Sequence, residues 1–202
     1  MSLIHAQTPP WLRRFERIEV PAGRRITCKV ADCAALVVVV HGVLELATPL
    51  PALRRVLPGE MALVRGHEHL ALMNGSKRQS LSLALATYAD PAPSLPSSAV
   101  RYFPDDDQAG ALCPVVNRDG REGSLRHESD LRVFVTSLAP GETVLAETGE
   151  GIEVFAHVLE GVARINQTDL EPGANVLISK ESEMRMTGVS ASKILLLEQT
   201  VK

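Results

Sequence analysis

The stretch Val37-Val-Val-Val-His-Gly-Val-Leu-Glu-Leu46 has a counterpart in Ala156-His-Val-Leu-Glu-Gly-Val-Ala-Arg-Ile165. In each stretch an apolar run reaches a glycine, Gly42 or Gly161, and a second short apolar run follows. This pattern is typical of two strands joined by a tight turn, because glycine adopts the backbone angles of such turns without strain. The sequence therefore contains the same strand-turn-strand unit twice.

Further glycine turns flank both units in the same order. Val20-Pro-Ala-Gly23 corresponds to Leu138-Ala-Pro-Gly141, and Leu57-Pro-Gly59 corresponds to Glu171-Pro-Gly173. Successive glycines are 19 and 17 residues apart in the first copy and 20 and 12 residues apart in the second. An internal repeat of this length predicts two similar domains.

The rest of the chain also has the pattern of an all-β protein. Short β-branched and leucine-rich segments are separated by Pro-Gly turns, whereas helical periodicity is scarce, as in antiparallel sandwiches and barrels. We expect strands at residues 25–30, 36–41, 43–47, 61–64, 81–87, 133–137, 154–159, 162–165, 176–178 and 194–198.

The boundary between the copies lies in a proline-rich segment. Asp90-Pro-Ala-Pro-Ser-Leu-Pro-Ser-Ser98 has three prolines within six residues, and proline lacks the N–H that a β-ladder needs. An acidic stretch, Asp105-Asp-Asp107, follows it. We therefore expect an N-terminal domain over residues 1–90, a non-helical linker over 91–112 and a C-terminal domain over 113–202.

Composition indicates a soluble globular protein of the cytoplasm. Apolar residues make up 45% of the chain and charged residues 22%, as in ordinary globular domains. The longest apolar run, Ala34 to Val40, is too short to span a bilayer, so we expect no membrane partner. The three cysteines, Cys28, Cys33 and Cys113, form no CxxC pair and are expected to be reduced thiols.

Charge is unevenly divided between the two halves. Residues 1–104 carry 12 Lys/Arg and 7 Asp/Glu, whereas residues 105–202 carry 9 and 17. The arginine pairs of the first half are spread out and are not interleaved with aromatic residues, so we expect no nucleic-acid partner. The asymmetry predicts attraction between the halves, either within one chain or in a homodimer.

Four segments of the second half resemble the C-terminal domain of the pirin-like and quercetin 2,3-dioxygenase-like bicupins. They are Asn117-Arg-Asp-Gly-Arg-Glu-Gly-Ser124, His127-Glu-Ser-Asp-Leu-Arg-Val133, Phe155-Ala-His-Val-Leu-Glu-Gly161 and Ile194-Leu-Leu-Leu-Glu198. This resemblance covers residues 113–199, and residues 15–104 share the general cupin layout. It implies two jelly-roll β-sandwich domains of the cupin type in tandem.

The resemblance also implies where a metal would bind. In these bicupins two histidines spaced HxH, a following glutamate and a third histidine hold iron or another divalent metal in the N-terminal domain. The family spacing, counted from Gly42 and Gly59, places these ligands at Lys29, Ala31, Ala35 and Leu70, none of which offers a suitable donor atom. The same count in the second copy gives Thr148, Glu150, Val154 and Met184.

One other HxH remains in the first half. His67-Glu-His69 lies near the expected fourth ligand, and His69 would face inward only if the preceding turn were one residue shorter than usual. His67 and His69 are thus the weak candidates for a metal site, and the alternative is a partly exposed turn. His127 is expected to have a structural hydrogen-bonding role.

The resemblance and the missing ligands lead to one preferred function and two alternatives. The preferred interpretation is a metal-free, non-catalytic bicupin without a cofactor, which binds a small molecule in its N-terminal barrel, or a protein partner, in a regulatory or sensing role. The alternative is a metal-dependent dioxygenase of the quercetin 2,3-dioxygenase type, with a divalent metal such as iron as its cofactor. A purely structural, oligomerising module is the third possibility.

Overall fold

The computed structural model describes residues 4–5, 8–47, 54–90 and 97–201, with residues 4–5 described by their backbone alone. Almost every element is a β-strand. In the first half the strands are β1 (Ile4–His5), β2 (Leu12–Val20), β3 (Arg25–Lys29), β4 (Cys33–His41), β5 (Leu44–Ala47), β6 (Arg54–Val56), β7 (Glu60–Arg65), β8 (His69–Asn74), β9 (Leu81–Ala89) and β10 (Ser97–Tyr102).

The second half begins with the short helix α1 (Asp105–Gln108) and has a 3-10 turn at Arg121–Gly123. Its strands are β11 (Cys113–Asn117), β12 (Leu125–Arg126), β13 (Arg132–Leu138), β14 (Thr143–Glu147), β15 (Ile152–Glu160), β16 (Ala163–Ile165), β17 (Thr168–Leu170), β18 (Asn175–Ser179), β19 (Glu183–Gly188) and β20 (Ser192–Thr200). In the described part of the chain, no helix is long and apolar enough to span a membrane.

The chain divides into two compact domains. The N-terminal domain is Pro10–Phe103, and the C-terminal domain comprises Pro104–Lys202 together with the described residues of Met1–Pro9. In the N-terminal domain one sheet has the order β10-β7-β4-β9-β2 and the other has β3-β8-β5-β6. In the C-terminal domain the orders are β1-β18-β15-β20-β13-β11-β12 and β14-β19-β16-β17.

These orders confirm two tandem domains of one topology. β7, β4, β9 and β2 occupy the same relative places as β18, β15, β20 and β13, and the smaller sheets correspond strand for strand. Gly42 joins β4 to β5 as Gly161 joins β15 to β16, and all four turn glycines, with Gly59 and Gly173, have positive φ. The repeated glycines of the sequence therefore mark equivalent turns.

The core of each domain lies between its two sheets. In the N-terminal domain alternate residues of β4, such as Ala35, Val37 and Val39, pack with those of β8, such as Leu70 and Leu72. β4 reads as a continuous apolar run because residues on both of its faces are buried. The C-terminal domain has an equivalent core, in which Val154 and Met184 take part.

The segments around the domain boundaries differ from the sequence predictions at three places. Ser97–Tyr102, expected in the linker, forms β10 and pairs with β7, because an edge strand needs partners on one side only and so has a weak sequence signal. Asp105–Gln108 is helical, since its acidic first turn suits the positive end of a helix dipole. Ile4–His5 pairs with β18 of the C-terminal domain, a long-range contact that no local pattern indicates.

Two turn glycines of the C-terminal domain provide a test of the described turn at Gly161. A Cβ at Gly161 would collide with the Ala191 carbonyl group, whereas a Cβ at Gly141 would meet no atom within 4 Å, although both residues have positive φ. We expect Gly141→Ala to cost about 1–2 kcal/mol of stability from backbone strain alone. Gly161→Ala adds a collision, so it should cost about 1–3 kcal/mol more. Urea denaturation of both variants measures the difference, and equal losses would contradict the described turn.

Candidate functional site

The inner face of β3 determines what lies at the expected metal-ligand positions. Ile26, Cys28 and Val30 pack into the N-terminal core, whereas Lys29 between them is exposed. Asp32, in the turn between β3 and β4, has a φ of 59°. Lys29 thus faces away from the core, whereas Cys28 and Val30 face it, because neighbouring residues of a strand point to opposite faces.

The four inward positions are Cys28, Val30, Ala35 and Leu70, and all four are buried in one hydrophobic cluster. Ala35 and Leu70 thus occupy the expected face. Three of the four side chains are hydrocarbon, and only the Cys28 thiol carries a donor atom. Burial raises the pKa of that thiol, which keeps it protonated and makes it a poor ligand. These residues do not fit the three-histidine, one-glutamate metal site of the related bicupins.

A charged pair lies on the same inner face next to this cluster. Arg14 and Glu16 of β2 alternate with Ile18, which packs against the core, and their side chains form an ion pair. The guanidinium of Arg14 lies close enough to Cys28 to oppose the effect of burial on the thiol pKa. An ion pair, whose two charges offset each other, therefore lies beside this cluster.

The structure places His67 and His69 in different surroundings. His67 lies in the turn before β8 and is only 5% exposed, whereas His69, the first residue of β8, is exposed and pairs in register with Lys29. The HxH spacing thus combines one buried and one exposed imidazole. Within the described ranges, no three His, Cys, Asp or Glu side chains are grouped in a way that could hold a metal ion.

A cleft of about 390 Å³ opens at the end of the N-terminal barrel, between the β3–β4 turn and the β7–β8 turn. Its lining consists of Lys29, Ala31, Asp32, Cys33, Gly66, His67, Glu68 and Asp90. The backbone N–H of Val30 donates a hydrogen bond to the Glu68 carbonyl oxygen at 2.9 Å, which ties the two turns together. We call this opening the N-terminal cleft.

Asp90, in the wall of the N-terminal cleft, forms an ion pair with Arg65. Its two carboxylate oxygens accept hydrogen bonds of 2.9 Å each from Nε and Nη2 of Arg65. A two-point contact of this kind fixes both side chains, because the planar guanidinium matches the carboxylate. The pair joins the end of β7 to the residue after β9 and so holds this end of the barrel together.

The C-terminal domain has a larger cleft of about 660 Å³ at its corresponding end, which we call the C-terminal cleft. Of the positions counted in the second copy, Val154 and Met184 are buried in the core, Thr148 is buried and Glu150 is exposed. Thr148 donates its hydroxyl hydrogen bond to the Glu181 carbonyl oxygen, so its polar group is satisfied within the protein.

The sequence did not indicate the N-terminal cleft or the pair of Arg14 and Glu16. Both depend on which strand ends meet, and a cleft of this kind has no motif. The expected role of His127 agrees with the structure, because this buried ring is hydrogen-bonded through Nδ1 to Ser129 Oγ at 2.6 Å.

A core substitution tests whether the ligand positions serve as packing. Leu70 is fully buried, whereas Leu57 is 45% exposed. We expect Leu70→Ala to lower the free energy of unfolding by about 2–5 kcal/mol through lost burial and a cavity. Leu57→Ala should change it by no more than about 0.5 kcal/mol. Urea denaturation measures both, and a small loss for Leu70→Ala would mean that this position lines an open pocket.

The buried imidazole of His67 predicts a pH effect on stability. Burial lowers its pKa below the ordinary value of 6.5. The imidazole of His67 then binds a proton more tightly in the unfolded chain than in the folded one. The stability that its burial in the neutral form contributes is therefore present above the unfolded pKa and is lost as the pH falls through the folded pKa. We expect the wild type to lose more stability than His67→Gln between neutral and mildly acidic pH, as measured by urea denaturation. Parallel losses in the two proteins would contradict this.

Comparison with known proteins supports the tandem cupin fold. Residues 114–199 match the family model of the quercetinase C-terminal cupin domain. The crystal structure of YhhW from Escherichia coli is similar with a TM-score of 0.84 at 20% identity, over 95% of this chain and 82% of that one. No curated protein matches the sequence.

Two other solved structures are informative. The bacterial pirin YhhW from Escherichia coli in complex with nickel(II) has a TM-score of 0.83 at 18% identity, over 99% of this chain and 96% of that one. A quercetin 2,3-dioxygenase from Acinetobacter baumannii has a TM-score of 0.69 at 13% identity, over 95% of this chain and 75% of that one. At such identities these similarities establish the fold and carry no activity with them.

Proposed function

We propose that this chain is a metal-free, non-catalytic bicupin of the pirin-like family, because residues 114–199 match the quercetinase C-terminal cupin model and the fold is similar to that of a bacterial pirin. In this proposal it binds a small molecule, or a protein partner, in a regulatory or sensing role. The observation that carries the proposal is the burial of Cys28, Val30, Ala35 and Leu70 in one hydrophobic cluster.

The chemistry of these four positions argues against a metal cofactor. Divalent metals in cupin-like sites are held by imidazole nitrogen and carboxylate oxygen. Hydrocarbon side chains at three of the positions offer neither, and the thiol of Cys28 has a pKa raised by burial.

The same residues argue against a dioxygenase of the quercetinase type. In that alternative a divalent metal would polarise the substrate or dioxygen, and it needs a stable ligand set for this purpose. The similarity to a quercetin 2,3-dioxygenase from Acinetobacter baumannii, at 13% identity, concerns the fold. A shared fold does not establish a shared reaction, because function depends on the residues of the site.

A binding role is supported by the cleft of the N-terminal domain. The N-terminal cleft opens at the end of the barrel and is lined by charged and polar residues, although the interior behind it is packed with aliphatic side chains. A concave site with a few polar groups is what small ligands use. The expectation of a homodimer rests on the charge asymmetry of the sequence alone and stays a prediction.

Metal analysis and an activity assay test the proposal together. We expect protein purified without chelators to contain far less than one iron, copper, nickel or manganese ion per chain by elemental analysis. Quercetin should be consumed no faster than in buffer, with or without each added metal, because the ligand positions lack donors. The bacterial pirin YhhW from Escherichia coli, whose structure contains nickel(II), is the positive control for metal recovery.

Two results would contradict the proposal. One is a stoichiometric ion that survives dialysis and is lost when Cys28 is replaced by serine. The other is quercetin turnover that chelators remove and the same metal restores. Either result would mean that the barrel interior rearranges to admit a metal, and the dioxygenase interpretation would then replace ours.

A further inference from the structure

We propose that the N-terminal cleft binds a small zwitterion, a molecule with one carboxylate and one ammonium group, such as a free α-amino acid. This inference rests on the proposed function, because it takes the chain to be a small-molecule-binding bicupin. It assigns the binding site to the β3–β4 and β7–β8 turns and gives the ligand a chemical class.

His67 supplies the first reason. This side chain lines the cleft and is only 5% exposed, and its buried Nε2 has no hydrogen-bond partner among the described residues. Buried polar atoms in proteins are nearly always hydrogen-bonded, so one without a partner calls for an explanation. A polar ligand in the cleft would supply this partner once it gains access to Nε2, which is shielded from solvent.

The charged walls of the cleft supply the second reason. Lys29, Asp32 and Glu68 are all exposed at the cleft, and none of them forms an ion pair or a side-chain hydrogen bond within the described part of the chain. Asp90, by contrast, is already held by Arg65. The cleft therefore presents one free ammonium group and two free carboxylates to whatever enters it.

The presence of both positive and negative charges in the cleft determines the class of ligand. A simple anion would meet the carboxylates of Asp32 and Glu68, and a simple cation would meet the ammonium group of Lys29. A zwitterion can place its carboxylate on Lys29 and its ammonium group on the acidic side, and such charge-assisted hydrogen bonds are the strong ones. A metal ion is disfavoured, because no group of three ligating side chains occurs in the described residues.

Size and rigidity agree with this choice. A volume of about 390 Å³ lies at the lower end of the range for small-molecule pockets. The hydrogen bond from Val30 N–H to the Glu68 carbonyl oxygen holds the Lys29 and Glu68 segments side by side. The ammonium group of Lys29 and the carboxylate of Glu68 thus lie on two segments that are fixed to each other before any ligand arrives.

The C-terminal cleft is the alternative binding site, but its buried polar side chain already has a hydrogen-bond partner. It also contains a lysine and several acids, among them Lys180, Glu150 and Glu181. Its buried Thr148 hydroxyl, however, is hydrogen-bonded to the Glu181 carbonyl oxygen, so no unpartnered buried group corresponds to His67. This difference assigns the ligand to the N-terminal cleft.

The test uses the twenty standard free amino acids as probes, each alone, with the full chain. Thermal denaturation identifies any that stabilise the protein, since a ligand of the folded state raises Tm with its concentration. Isothermal titration calorimetry then gives Kd for the wild type and for Lys29→Met and Glu68→Gln. We expect each variant to weaken binding by about tenfold or more. The amide and the N-acetyl derivative of the same amino acid should bind comparably weakly.

Matched controls separate the cleft from general charge effects. Lys77→Met and Glu19→Gln make the same charge changes at exposed positions outside both clefts, and they should leave Kd unchanged. Lys180→Met, in the C-terminal cleft, should also leave it unchanged. Circular dichroism of every variant confirms that it is folded before its Kd is interpreted.

Each contrary outcome overturns the inference. The inference fails if no amino acid binds, if Lys29→Met binds as tightly as the wild type, or if Lys180→Met is the variant that loses binding. Metal content is measured on the same preparation, which keeps the two proposals apart. A metal-free protein that binds no amino acid contradicts only the cleft assignment, whereas a metal-loaded protein contradicts the proposed function whatever the probes do.

Discussion

Alternate side chains of a β-strand point to opposite faces, and both domains depend on this constraint. Two sheets enclose a core where every second residue of their strands is apolar. In the N-terminal domain this requirement extends along β3, β4 and β8 to the end of the barrel, where Cys28, Ala35 and Leu70 continue the aliphatic packing. The residues that close the core thus lie where the resemblance would place metal ligands, and at such positions packing and metal binding compete.

The sequence was sufficient to predict the repeat and the class of fold, because both are encoded locally. Gly42 and Gly161 end apolar runs of the same kind, and the structure places them at equivalent turns. Strands with mixed composition were missed. β2 contains the charged residues Arg14 and Glu16 on its inner face, and β10 is an edge strand, so neither has the alternation that identifies a half-buried strand.

The candidate site was predictable only in its chemistry. The absence of histidines between His5 and His41 indicated that the usual ligand set is missing, and this did not depend on the exact alignment. The faces of Lys29 and Cys28 depended on the length of one turn, which the repeat alone does not determine. The N-terminal cleft could not be anticipated, since it forms where the β3–β4 and β7–β8 turns meet and its residues are distant in the sequence.

The pairing of Ile4–His5 with Val176 and Leu177 has a consequence for how the polypeptide is made on the ribosome. The first strand is synthesised about 170 residues before its partner, which at roughly 5–20 residues per second is a delay of about 10–30 s. During this interval the N-terminal domain can complete its own sheets, while the leading segment has no sheet to join. The outer edge of β18 is therefore covered by a segment that was translated long before β18 itself.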